Sequence, residues 1–170
     1  YFSEYYGNAS TIYSLGAESK KAMDHARQTI ADSLGAKPEE IYFTAGGSES
    51  DNWALKATAE AYASKGKHII TTKIEHHAIL HTCEYLEKRG FEITYLNVDR
   101  DGLISLDELK AAIRPDTILI SVMFANNEIG TIEPIAEIGE IAKEHGVLFH
   151  TDAVQAYAQV PINVDEMHID

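Results

Sequence analysis

The sequence predicts an α/β domain in three layers, a mostly parallel sheet sandwiched between helices. Short strand-like runs alternate with segments of helical periodicity along nearly the whole chain. One of these runs, Thr117 to Met123, is almost continuously apolar, the pattern of a strand buried on both faces. Gly35, Gly66, Gly90 and Gly146 punctuate the helical segments where a strand–helix repeat needs its turns.

Taken in order, Met23, Ala26, Ile30 and Leu34 recur at helical spacing, and Gly35 supplies a C-cap. Ile41-Tyr42-Phe43-Thr44 is predicted as a short strand, and Ser48 to about Lys65 as a helix stopped by Gly66. His68 to Thr72 is strand-like, and Ala78 to Arg89 is helical up to Gly90. Glu92 to Leu96 alternates polar and apolar residues, as a half-buried strand should. Ser105 and Glu108 form a capping-box pattern for the next helix. After the Thr117 strand, Pro134 opens a helix with Ile135, Ile138 and Ile141 inward, ended by Gly146. The strand Val147 to His150 follows. No repeat, low-complexity tract or linker interrupts the series.

At 170 residues the chain is long enough to bury a core, and its composition is that of a globular protein. A formal net charge of -13 argues against nucleic acid or an anionic membrane as a partner; it also fits a plain solvated acidic surface. No apolar run approaches the ~20 residues needed to cross a bilayer. The single cysteine, Cys83, rules out an internal disulfide framework and fits a reducing, cytoplasmic setting. The opening Tyr1-Phe2-Ser3-Glu4 leaves room for a removed targeting segment. Met167-His168-Ile169-Asp170 looks like the start of a strand, so both ends read as cuts through a longer chain.

In parallel sheets, ligands collect at the carboxyl ends of the strands. The most informative such segment is Val147 to Gln155, an apolar run that ends in Asp152, with Gln155 three residues on. A carboxylate there needs a cation or strong donors. Pyridoxal 5'-phosphate (PLP) is one ligand that needs it, because an ionised aspartate keeps the ring nitrogen protonated. A turn cap is the ordinary alternative.

After the Ile41 run comes Thr44-Ala45-Gly46-Gly47-Ser48-Glu49-Ser50, in which free amides at a helix start would face an anion. An ordinary turn with Ser48 as N-cap serves equally, and without a lysine the segment is no nucleotide P-loop. Glu75-His76-His77 places a histidine where it can stack on a heteroaromatic ring and move protons; a surface histidine is the bland alternative. His77 and His81 stand four residues apart but lack the His-Glu-x-x-His arrangement, and no metal is assigned. Phe124 to Gly130 carries Asn126, Asn127 and Glu128, which suit a polar ligand or a hydrogen-bonded turn.

Asn97 to Glu108 matches an EF-hand calcium loop, with oxygen-bearing residues at positions 1, 3, 5, 9 and 12 and glycine at 6. The alternating Phe91 to Leu96 before it reads as a strand where an EF-hand requires a helix. A turn, a short extended stretch and a capped helix explain it as well; calcium binding is kept as the alternative from another class of function. Cys83, between Leu80 and Leu86, reads as a buried, unreactive thiol.

Together these groups resemble the NifS/IscS group of cysteine desulfurases, within the class V, fold type I PLP enzymes. The matching residues are Gly7 to Ser10 with Ser14-Leu15-Gly16, Phe43 to Asn52, Glu75 to Ala78, Asn126 to Gly130, and His150 to Gln155. The resemblance implies that residues 1–170 are part of the PLP-binding large domain. It implies that Gly47 and Ser48 hold the phosphate, and that His76 stacks on the ring and serves as the catalytic proton-transfer group. Asp152 would pair with the ring nitrogen, while Gln155 and Asn127 would bond the ring-oxygen side. The implied reaction takes L-cysteine to L-alanine and leaves an enzyme persulfide for iron–sulfur cluster assembly or tRNA thiolation. Implied partners are a second copy in a homodimer and sulfur-acceptor proteins, with no direct nucleic acid and no membrane.

Ala9 stands where the family usually has proline, and Tyr13 where it often has histidine. The family's Schiff-base lysine is expected shortly beyond Asp170, and its persulfide cysteine and small C-terminal domain further on, so the 170 residues alone are expected to be inactive. Cys83 lies on the wrong element to replace that cysteine. Selenocysteine lyase and class V aminotransferase are the alternatives on the same fold.

Overall fold

The computed structural model describes residues 3–170, which divide into two compact units: residues 3–43 with 162–164, and residues 44–161 with 165–170. The first unit is built on helix α1, Ser14–Leu34. Gly35 closes it at φ 69°, its N–H donating to the Ala31 carbonyl. A Cβ on Gly35 would stand 2.8 Å from Asn163 Oδ1, so space and backbone both demand glycine. The Val164 N–H donates to the Leu34 carbonyl at 2.9 Å, holding the 162–164 segment to the helix end. A 3-10 turn, Pro38–Glu40, follows.

The predicted strand over Ile41–Thr44 does not form; those residues are coil. A strand exists only through a neighbour's ladder, and here the backbone finds other partners. Ile41 N–H donates to the Pro38 carbonyl, and Arg27 Nη1 donates to the Ile41 carbonyl. Tyr42 and Phe43 remain exposed.

The second unit holds helices α2 (Gly47–Tyr62), α3 (His77–Glu87), α4 (Leu106–Ala112) and α5 (Ile135–His145). Its strands are β1 (His68–Thr72), β2 (Glu92–Leu96), β3 (Thr117–Ser121) and β4 (Leu148–His150). All pairings are parallel, in the order β2-β1-β3-β4. Every residue of β1 and β3 is buried, as their two-sided cover requires. Two buried polar residues of this sheet meet their needs locally: His68 Nδ1 and Nε2 sit 2.7 Å and 2.8 Å from the hydroxyls of Thr117 and Thr94.

The strand order reverses direction at β1. The chain steps outward from β1 to β2, then back across to β3 and on to β4. With right-handed crossovers, α3 falls on one face of the sheet and α4 and α5 on the other. Register partners Ile69 and Leu119 pack with Leu55 and Ala59 of α2 and Ile79, Cys83 and Leu86 of α3. The reversal opens a crevice beyond the carboxyl ends of β1 and β3, where an α/β sheet takes its ligands.

Other expectations met mixed outcomes. Pro134 and Gly146 bracket α5 as predicted. Ser105 Oγ accepts from Glu108 N–H at 3.3 Å, but the Glu108 carboxylate turns to Asn97, leaving half a capping box. No strand forms over Met167–Asp170; Asp170 N–H does bond the Phe149 carbonyl at 2.9 Å, alongside β4. No helix among the described residues is long and apolar enough to cross a membrane.

Candidate active site

The six sequence-predicted site residues, Gly47, Ser48, His76, Asn127, Asp152 and Gln155, all line one cavity of about 280 Å³ at the crevice. They arrive on four segments: Gly47 and Ser48 at the start of α2, His76 after β1, Asn127 after β3, and Asp152 with Gln155 after β4, which is why residues a hundred positions apart converge.

The α2 end of the cavity is built from free amides. Gly46 rather than Ser48 is the N-cap, and no side chain caps the helix. Glu49 turns its carboxylate back to Ala45 N–H at 2.6 Å, and Gly46 N–H meets Thr44 Oγ1. The N–H groups of Gly47 and Ser48 have no acceptor among the described residues, so the positive end of α2 is presented to whatever enters. Gly47 leaves room for the neighbouring loop: a Cβ there would stand 2.8 Å from Val154 Cγ2, and the exposed Val154 side chain would have to give way.

The lining beside these amides is acidic. Asp152 is buried, and its Oδ1 accepts from Val154 N–H at 3.0 Å, so the turn-cap reading and the cavity-lining reading hold together. Asp51, on the second turn of α2, is buried beside it. One carboxylate oxygen each of Asp51 and Asp152 and one ring nitrogen of His76 all lie within 4.8 Å of one another. Burial, then the charge of Asp152, pushes the Asp51 carboxyl up to about 7. Asp51 was missed in the sequence. The available signal was its place three and four residues past Ser48 and Gly47, on the same helix face.

His76 caps α3: its Nδ1 accepts from Ala78 N–H at 3.1 Å, which fixes the ring and leaves Nε2 the protonated nitrogen of a neutral imidazole. Its exposed ring lines the cavity. Behind it, Glu75 is buried and its carboxyl is pushed up to about 8, chiefly by burial. In the β3 loop two adjacent amides divide the work. Asn126 makes the turn, donating to the Ile74 carbonyl and accepting from Glu128 and Ile129 N–H groups. Asn127 is exposed on the cavity wall with no hydrogen-bond partner among the described residues, as is Gln155.

Other sequence candidates fall elsewhere. Asn97 and Glu108, the ends of the calcium-loop pattern, bond each other, and strand β2 leads into the loop. His77 and His81 stack on each other at 5.3 Å on exposed α3 surface. Cys83 is fully buried, and burial pushes its thiol up to about 12.

The sequence model of the Aminotransferase class-V family matches residues 1–170. The chain belongs to that family. Among curated members, it is 64% identical to cysteine desulfurase IscS of Methanosarcina thermophila, over all of this chain and 42% of that protein. It is 59% identical to cysteine desulfurase IscS of Clostridium botulinum, over all of this chain and 43% of that one. Among solved structures, SspA in complex with cysteine superposes with a TM-score of 0.95 at 45% identity, covering 99% of this chain and 48% of that one. A NifS-like protein gives a TM-score of 0.95 at 40% identity, covering 99% and 47%. This class-V member thus spans less than half the length of the relatives it matches.

Proposed function

We propose that the chain forms the cofactor-binding part of a PLP-dependent cysteine desulfurase, which takes L-cysteine to L-alanine and keeps the sulfur as an enzyme persulfide. One observation carries the reading: unbonded helix-start amides and a buried carboxylate face one cavity, with a histidine ring between the strand ends. That donor set fits a phosphorylated heteroaromatic cation, and among the described residues no lysine or arginine lines the cavity to neutralise the carboxylates.

In this reading the Gly47 and Ser48 amides hold the phosphate, and Asp152 holds the ring nitrogen in its protonated state. Bound there, PLP supplies an electron sink for negative charge developing beside the substrate nitrogen. His76, oriented by its bond from Ala78 N–H, would stack on the ring and would carry a proton at Nε2. Asn127 and Gln155 offer amides to the ring-oxygen side. L-Cysteine as substrate is favoured by the relatives' common name and by the cysteine in the SspA structure. A homodimer, sulfur-acceptor partners and a cytoplasmic setting belong to the same proposal.

The test is alanine release from L-cysteine by the whole protein supplied with PLP. Stoichiometric alanine and persulfide support the reading. Keto-acid formation without alanine would point to the aminotransferase alternative.

A further inference from the structure

Asp51 is the one ionisable residue of the cavity lining, among the described residues, to which the proposed cofactor contacts give no task. Its side chain is 5% exposed, and its Oδ2 is buried without a hydrogen-bond partner among the described residues. Its Oδ1 stands 3.8 Å from His150 Nε2, beyond hydrogen-bond reach. Titratable groups face it from each surrounding element: Asp152 after β4, His150 on β4, and Glu75 and His76 after β1. From β3 comes Ser121, whose hydroxyl meets His150 Nδ1 at 2.9 Å. Burial lowers His150 to about 4, so its neutral ring brings no counter-charge.

Two carboxyls this close, in desolvated surroundings and without a cation, do not both ionise. We infer that Asp51 is a positioning residue of the ring-nitrogen subsite. Its carboxyl holds one proton that keeps the empty Asp51–Asp152 pair at a single negative charge, and it releases that proton to solvent when a heteroaromatic cation docks against Asp152. The inference rests on the cavity being the PLP site. The incoming positive charge replaces the departing proton, so the subsite stays near one net negative charge throughout.

The sign follows from the value of about 7 that burial and Asp152 impose on Asp51. Below it the empty site is protonated and docking must expel the proton, so affinity falls as pH falls. Above it no proton is exchanged.

The experiment measures PLP affinity in the whole protein and in Asp51→Asn, between about pH 6 and pH 8. The wild-type affinity relative to the variant should rise by up to about tenfold per pH unit toward neutrality, then level off. A ratio that is flat with pH, as a merely structural Asp51 would give, overturns the inference while leaving the PLP site intact. Failure of PLP to bind either protein at any pH overturns both. The Asp51 carboxyl ¹³C shift in the wild type provides a measurement independent of the variant. It should titrate near neutrality in the empty protein and stay ionised with PLP, and an unchanged titration on PLP addition would refute the proposal.

Discussion

Glu75 Oε1 accepts a hydrogen bond from Met123 N–H at 2.9 Å, tying the turn after β1 to the chain leaving β3. The same oxygen accepts from Thr72 Oγ1 at 2.8 Å. His76 and Met123 both line the cavity, so this clamp sets the spacing of two of its walls.

Glu75→Ala should cost about 1–3 kcal/mol, because it strands a buried N–H and a buried hydroxyl. Glu75→Gln, a mimic of the protonated carboxyl, should behave differently with pH. The folded value of about 8 lies above the ordinary 4.5, so the folded state binds the extra proton. Wild-type stability attributable to Glu75 is therefore present in acid and lost as pH rises from 4.5 to about 8. Urea unfolding should show Glu75→Gln gaining on the wild type across that window. A constant difference would contradict this.

Gly47→Ala should weaken PLP binding by about tenfold, since a Cβ 2.8 Å from Val154 Cγ2 pushes on the loop that carries Asp152. Adding Val154→Ala should restore most of the loss. A double variant no better than the single one would mean that crowding is not the cause.

Asp152→Asn keeps shape and removes charge. One pKa unit corresponds to ~1.4 kcal/mol, so loss of a close ion pair should lower cysteine turnover in the whole protein by orders of magnitude. Normal turnover with normal PLP content would remove Asp152 from the proposed role.

Cys83 should resist alkylation until the protein unfolds, given its full burial and a thiol raised to about 12. Cys83→Ala should leave cysteine turnover unchanged, and reaction with iodoacetamide at the rate of a free thiol would show that α3 opens.

Elements with strong local signals were legible in the sequence. The Thr117 run, the alternation of Glu92–Leu96 and the capping positions Gly35, Pro134 and Gly146 reappear within a residue or two. Ile41–Thr44 misled because β-branched and aromatic residues signal a strand only if a neighbour completes the ladder. His76, Asn127, Asp152 and Gln155 could be singled out as candidates because strand ends are where a parallel sheet puts ligands, whereas Gly47 and Ser48 reach the same cavity from a helix start preceded by coil rather than a strand. For Asp51 the sequence offered only its helical spacing from Gly47 and Ser48: a carboxylate near a helix start ordinarily faces water, and the strand order is what brings Asp152 and His150 against it.

The most direct test of the central claim is a crystal structure of the protein with PLP. The account predicts the phosphate on the amides of Gly47 and Ser48, the ring nitrogen against Asp152, and the His76 ring over the pyridine. PLP bound away from this cavity, or bound in it with the ring nitrogen turned from Asp152, would contradict the account.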